Sequence, residues 1–125
     1  MRRKVAIVED NPDSRELMRY MPSESRDVSE YESGEQAIEG FRRNRPDLVL
    51  LDISLPHMDG PEIVRMIRSD QDLCAMPVIA LTAHAMKGDR EKYLAFGFNN
   101  YVTKPILDGG TLLRAIEHWL RGGKA

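Results

Sequence analysis

The sequence predicts an α/β fold in which helices cover both faces of one parallel sheet. Apolar runs of four or five residues, rich in Val, Ile and Leu, alternate with longer stretches of helical periodicity. Continuous apolar runs indicate strands that are buried on both faces, as the strands of parallel sheets are. Five repeats of strand and helix therefore predict a doubly wound sandwich with right-handed crossovers.

The same pattern gives approximate bounds for each element. Strands are predicted near 4–9, 27–31, 47–52, 77–82 and 100–103. Helices are predicted near 12–21, 34–44, 60–70, 86–96 and 107–121. The second strand is half polar, because Asp27, Ser29 and Glu30 interrupt it, and we expect it at an edge of the sheet.

Residues at the helix ends support these bounds. Asn11 before Pro12 combines a cap residue with a proline at the first helical position. Ser33 and Gln36 have the spacing of a capping box. Gly97 follows the fourth helix, where a left-handed end conformation favours glycine.

The composition limits the class of protein. A length of 125 residues suits one domain, residues 1–125, and a net charge of -2 argues against direct binding of nucleic acid. The single cysteine, Cys74, cannot form an internal disulfide, and we expect a small packed residue in a cytoplasmic protein. No segment approaches the roughly 18 apolar residues of a membrane span.

Polar residues follow four of the predicted strands at the point where each strand ends. Glu9 and Asp10 follow the first strand, Asp52 the third, Thr82 the fourth and Lys104 the fifth. Because the carboxyl ends of parallel strands share one edge of the sheet, we expect these side chains to meet there. Three carboxylates, a hydroxyl and an ammonium group indicate a site for a divalent cation and a phosphoryl group.

Asp52 is the candidate nucleophile of this site, because a carboxylate can attack phosphorus to form an aspartyl phosphate. Glu9 and Asp10 would hold a cation, and Mg²⁺ prefers such hard oxygen ligands. Two carboxylates about 5 Å apart repel by roughly 3 kcal/mol at an effective dielectric of about 20, so a cation or Lys104 is expected between them. Taken singly, Asp10 could instead be a helix cap and Asp52 a turn residue.

Thr82 and Lys104 are candidate contacts of the phosphoryl oxygens. The Thr82 hydroxyl can donate to such an oxygen, although alone it could equally be a strand residue bonded to backbone. The Lys104 ammonium is a compact, movable charge suited to the same role. We hypothesise that a cis bond before Pro105 aims this ammonium inward.

These motifs resemble the receiver domain of response regulators in two-component signalling, over essentially the whole chain. The resemblance is carried by Val8-Glu9-Asp10-Asn11, Leu51-Asp52-Ile53-Ser54-Leu55-Pro56-His57-Met58-Asp59-Gly60, Leu81-Thr82-Ala83 and Lys104-Pro105-Ile106. The segment from Ala83 to Asp89 is similar to that of single-domain receivers. The resemblance implies a flavodoxin-like three-layer sandwich with strand order 2-1-3-4-5 and five helices.

The resemblance also implies a function as a phosphoacceptor switch. Asp52 would accept a phosphoryl group from a phosphohistidine on a sensor histidine kinase or a histidine phosphotransfer protein. It would do so with Mg²⁺ held by Glu9, Asp10, Asp52 and the backbone carbonyl of Ser54. Tyr101 falls at the aromatic switch position, where its ring turns inward once Thr82 is drawn towards the phosphate. A turnover enzyme is not implied.

Other functions remain open at this stage. A phosphatase with a covalent intermediate on Asp52 would require a second aspartate where Ser54 stands. A nucleotide-binding protein would require a glycine-rich loop where Asp10-Asn11-Pro12 stands. The chain could also be a receiver domain from a hybrid kinase, or a receiver-like module that no longer accepts phosphate. We further expect Ser54 and His84 to tune hydrolysis of the phosphorylated form.

Overall fold

The computed structural model describes residues 3–10, 26–53, 60–82 and 87–103, together with Arg114, Ile116, His118 and Trp119. Its strands are β1 (Arg3–Val8), β2 (Arg26–Tyr31), β3 (Leu48–Asp52), β4 (Val78–Thr82) and β5 (Asn100–Thr103). Its helices, within these ranges, are α1 (Gly34–Arg43), α2 (Gly60–Ser69) and α3 (Asp89–Phe96). The four isolated residues are helical and fall within the predicted last helix.

The five strands form one parallel sheet in the order β2-β1-β3-β4-β5. This order confirms the predicted topology, and β2 lies at an edge as its polar residues indicated. The central strands β3 and β4 are buried along their whole length, which their uninterrupted apolar sequences require. No helix within the described ranges is long and apolar enough to cross a bilayer.

Side chains on the two faces of the sheet build two separate cores. Ala6 and Val8 of β1 point to the face that packs against α1 and α2, where Phe41 is fully buried. Val5 and Ile7 alternate with them and point to the opposite face, which contacts Ile116 and Trp119. Helical residues therefore cover both faces, and the predicted three-layer sandwich is confirmed.

Most predicted bounds agree with the structure. Each strand begins and ends within one residue of its predicted position, and α1 and α2 end one residue early. The predicted helix 86–96 begins later, at Asp89, because Lys87 and Gly88 form a turn in which Gly88 has a φ of 88°. The predicted helix 12–21 lies outside the described residues. Cys74 is exposed, so the expectation of a packed cysteine was wrong.

The ends of α1 and α3 follow the predicted chemistry. The Ser33 hydroxyl accepts a hydrogen bond from the Gln36 N–H at 3.3 Å. The Gln36 side chain returns to the N–H of Glu32 at 3.3 Å, one residue before the position that a capping box predicts. Gly97 ends α3 with a φ of 117°, a conformation in which other residues are strained.

Arg68 near the end of α2 connects three parts of the fold. Its guanidinium donates to the Gly97 carbonyl at 2.8 and 3.0 Å, to Cys74 O at 2.9 Å, to Met76 O at 2.6 Å and to Asn99 Oδ1 at 2.7 Å. All of these acceptors are neutral. Burial lowers the pKa of Arg68, while the nearby Cys74 acts in the opposite direction. The side chain thus fastens α2 to the segments that lead into β4 and β5.

Candidate functional site

The ends of β1 and β3 bring acidic residues to the carboxyl edge of the sheet. Glu9 directly follows β1, and its N–H donates to the Tyr31 carbonyl at 3.0 Å, which continues the pairing with β2. Asp52 is the last residue of β3 and lies opposite Leu81 of β4. Regular strand pairing extends as far as Glu9 and Asp52, so the backbone positions of both residues are fixed.

Glu9, Asp10 and Asp52 form a carboxylate cluster. One oxygen from each side chain lies within 4.8 Å of the other two. Glu9 and Asp52 are only 1% and 5% exposed, whereas Asp10 is exposed to solvent. Like charges this close repel one another in a site of reduced dielectric, so a nearby positive charge would stabilise the arrangement. Hard carboxylate oxygens are the ligand type that Mg²⁺ prefers, and the donor set therefore fits this cation.

Thr82 is the last residue of β4 and follows Leu81, the residue that pairs with Asp52 in β3. The residue is 4% exposed, and it pairs with Thr103 in β5. Ile53, which follows Asp52, donates its N–H to the Leu81 carbonyl at 3.1 Å. The chain therefore holds β3 and β4 in fixed register up to the residues that carry the carboxylate and the hydroxyl.

Tyr101 in β5 contacts both Thr82 and the start of α3. Its half-buried phenol donates to Asp89 Oδ2 at 3.3 Å, and its ring stacks on Tyr93 with centroids 5.4 Å apart. Burial raises the pKa of Tyr101, a hydrogen bond with Thr82 lowers it, and the charge of Asp89 raises it again. The hydroxyl thus links the β4 residue of the site to α3.

The structure brings together some of the predicted site residues and does not describe others. It places Glu9, Asp10 and Asp52 in one cluster and sets Thr82 beside Tyr101. The remaining predicted positions, Ser54, His84, Lys104 and Pro105, lie outside the described residues.

Sequence reasoning assigned no role to Asp89 or Tyr93. The charged run from Lys87 to Lys92, which includes Asp89, indicates the solvated face of the fourth predicted helix. A signal was present in the spacing of Asp89 and Tyr93, because residues four apart share one face of a helix. An acidic residue and an aromatic one on that face could have indicated a surface that packs against the neighbouring strand.

Comparison with known proteins defines the class to which this fold and site belong. A family model described as the response regulator receiver domain matches residues 5–117. The chain therefore belongs to the response regulator receiver domain family of two-component signalling.

Individual relatives cover nearly the whole chain. The polar-differentiation response regulator DivK of Brucella ovis is 39% identical over 107 residues, which are 85% of this chain and 87% of that protein. The receiver domain of a sensor histidine kinase from Pseudomonas aeruginosa PAO1 is 35% identical, with a TM-score of 0.86 and coverage of 97% and 99%. The crystal structure of that domain has a magnesium ion coordinated in its active-site cleft. The receiver domain of a histidine kinase from Syntrophus aciditrophicus is 29% identical, with a TM-score of 0.85 and coverage of 95% and 90%.

Proposed function

We propose that this chain is one receiver domain that works as a phosphoacceptor switch, with Asp52 as the phosphorylated residue. The observation that carries the proposal is the carboxylate cluster, in which Asp52 is almost fully buried beside Glu9 and Asp10. The phosphoryl donor is a phosphohistidine on a sensor histidine kinase or a histidine phosphotransfer protein. Membership of the receiver family supports this assignment, as does the kinase origin of two of the similar structures.

The proposed cofactor is Mg²⁺, held by Glu9, Asp10, Asp52 and the backbone carbonyl of Ser54. Three carboxylates and a carbonyl are a suitable set of hard ligands, and Mg²⁺ commonly keeps several waters beside such a set. When bound, the cation neutralises negative charge on the carboxylates and on the incoming phosphoryl group. The magnesium ion in the cleft of the similar Pseudomonas receiver supports this choice.

In the transfer step, a carboxylate oxygen of Asp52 attacks the phosphorus atom and forms an O–P bond. The P–N bond to the partner's histidine breaks, and the imidazole leaves with the electron pair and takes up a proton. The Thr82 hydroxyl and the Lys104 ammonium bind phosphoryl oxygens and offset their charge. The switch is reset when water attacks the phosphorus atom, breaks the O–P bond and releases phosphate, and Ser54 and His84 tune the rate of this hydrolysis.

The output of the switch is a change at Thr82 and Tyr101. Thr82 moves towards the phosphoryl group, and the Tyr101 ring turns into the space that Thr82 leaves. Such a change shifts an existing equilibrium, and a shift from 1:99 to 99:1 requires about 5.5 kcal/mol of differential binding. The altered surface then changes binding to a downstream protein. The proposed location is the cytoplasm, and neither nucleic acid nor a membrane is a direct partner.

The test is phosphorylation in vitro by a small phosphodonor, acetyl phosphate, with Mg²⁺ and intact-mass detection. We expect the wild-type protein to gain one phosphoryl group and Asp52→Asn to gain none. Asp72→Asn, which changes an exposed aspartate after α2, is the matched control and should behave as the wild type does. A chelator should abolish the adduct in the wild type. An adduct that persists in Asp52→Asn, or one that forms without divalent cation, would contradict the proposal.

A further inference from the structure

The Tyr101 hydroxyl lies between hydrogen-bond partners from two different elements. It donates its one proton to Asp89 Oδ2 at 3.3 Å, and it is also hydrogen-bonded to Thr82. Because the phenol proton is directed to the carboxylate, the Thr82 hydroxyl is the donor in the second bond. The three side chains therefore form a chain of donors that runs from Thr82 through Tyr101 to Asp89, which we call the hydroxyl chain.

The ring of Tyr101 is held in the position that this chain requires. It stacks on Tyr93 at 5.4 Å with an interplanar angle of 13°. Tyr93 is itself fixed by an edge contact with Phe98 at 5.9 Å, and the Lys92 ammonium lies 5.6 Å from its ring centroid. Since Tyr93 and Asp89 both belong to α3, one helix provides the stacking surface and the hydrogen-bond acceptor.

Asp89 suits the role of a fixed acceptor. It is the first residue of α3 and is half-buried, and a carboxylate is favoured in the first turn of a helix. A charged acceptor also strengthens the bond that precedes it in a chain, because it polarises the Tyr101 O–H group and makes the phenol oxygen a better acceptor for Thr82.

We propose that Asp89 is a positioning residue that holds Thr82 in its resting place and sets how readily Thr82 moves to the phosphoryl group. The inference rests on the proposed function, because it assigns a regulator to the same site. Thr82 must give up its bond to Tyr101 before it can donate to a phosphoryl oxygen. An inward turn of the Tyr101 ring would likewise separate it from Asp89. Both movements break the hydroxyl chain, so Asp89 favours the resting arrangement.

The test measures binding of beryllofluoride, a mimic of the phosphoryl group, in the presence of Mg²⁺ by amide NMR titration. Asp89→Ala should bind beryllofluoride about fivefold more tightly than the wild type, the size expected when one long charge-assisted hydrogen bond is lost from the resting state. Tyr101→Phe, which keeps the ring and removes the hydroxyl, should give a similar gain. The double variant should gain no more than either single variant, because each change breaks the same chain.

Two further variants separate this role from general effects of charge and folding. Glu91→Ala removes an exposed acidic residue from the same turn of α3, and its affinity should stay within twofold of the wild type. Asp89→Asn keeps the shape and one acceptor oxygen, and its affinity should rise less than that of Asp89→Ala. Unchanged affinity in both Asp89 variants would overturn the inference.

The outcomes distinguish this inference from the function on which it rests. A wild-type protein that does not bind beryllofluoride with Mg²⁺ would contradict the proposed function itself. If the wild type binds beryllofluoride normally and the gains in affinity are fully additive in the double variant, only the role of Asp89 is overturned. Additive gains would mean that Asp89 and Tyr101 act independently and not through one hydroxyl chain.

Discussion

Neutralising Asp52 should stabilise the protein in the absence of metal, and this prediction follows directly from the carboxylate cluster. At the 4.8 Å that bounds the separations in the cluster, each like-charged pair is unfavourable by about 3.5 kcal/mol at an effective dielectric of about 20. Asp52 takes part in two such pairs. Solvent around the exposed Asp10 and the other interactions of these groups offset much of this repulsion. We therefore expect Asp52→Asn to raise the free energy of unfolding by about 1–3 kcal/mol.

Addition of Mg²⁺ should stabilise the wild type more than it stabilises Asp52→Asn. A ligand that binds only the folded state stabilises it by about 2.7 kcal/mol at one hundred times its Kd. The wild type should gain stability in this way, whereas Asp52→Asn should gain much less because it lacks one ligand. The difference between the two proteins should therefore shrink or reverse as Mg²⁺ is added.

The assay is urea unfolding, first with a chelator and then across a Mg²⁺ titration. An unchanged m value would show that the shifts come from stability and not from a change in the unfolded state. Asp72→Asn serves as the control and should lie within about 0.5 kcal/mol of the wild type in both conditions. A less stable Asp52→Asn in the chelator, or equal stabilisation of both proteins by Mg²⁺, would refute the reasoning.

Three further predictions concern other parts of the structure. Arg68→Ala should lower the free energy of unfolding by about 2–4 kcal/mol in urea, because several part-buried oxygen acceptors lose their donor, and Arg68→Lys should recover less than half of that loss. A loss below about 0.5 kcal/mol would contradict the connecting role. Gly40→Ala should lower the thermal midpoint, although alanine is the better helix former, because a methyl group there would overlap the Tyr31 ring; a raised midpoint would show that the ring moves aside. The pKa of Tyr101 is raised above its ordinary value of 10.0, so the stabilisation linked to its hydroxyl is complete below pH 10 and is lost as the pH rises through the folded-state pKa. The free energy of unfolding of Tyr101→Phe should therefore fall less steeply above pH 10 than that of the wild type, and equal slopes would contradict this prediction.

The fold was predictable because its determinants are local in sequence. The strands β1, β3 and β4 contain continuous apolar runs that polar residues follow, and all five strands were located within one residue. The meeting of Glu9 and Asp52 follows from the same pattern, since strands that run in parallel end at one edge. The roles assigned to these residues and to Lys104 remain predictions.

The contacts of Arg68 and Asp89 were not predictable, because only the tertiary structure brings these residues and their partners together. Arg68 contacts Gly97, which lies 29 positions further along the chain. The sequence alone does not distinguish a helical arginine that makes such hydrogen bonds from one that is exposed to solvent. Asp89 likewise is one charge among several in a polar run of the sequence, and only the tertiary structure places Tyr101 of β5 against it.

The second core gives the protein a natural optical probe. Trp119 is the only tryptophan of the chain, it is 8% exposed, and within the described part of the structure its indole Nε1 has no hydrogen-bond partner. Fluorescence from such a shielded indole should be blue-shifted and should shift red when water reaches it. Emission therefore reports separation of the C-terminal helical residues from the sheet face that Val5 and Ile7 line, independently of events on the opposite face.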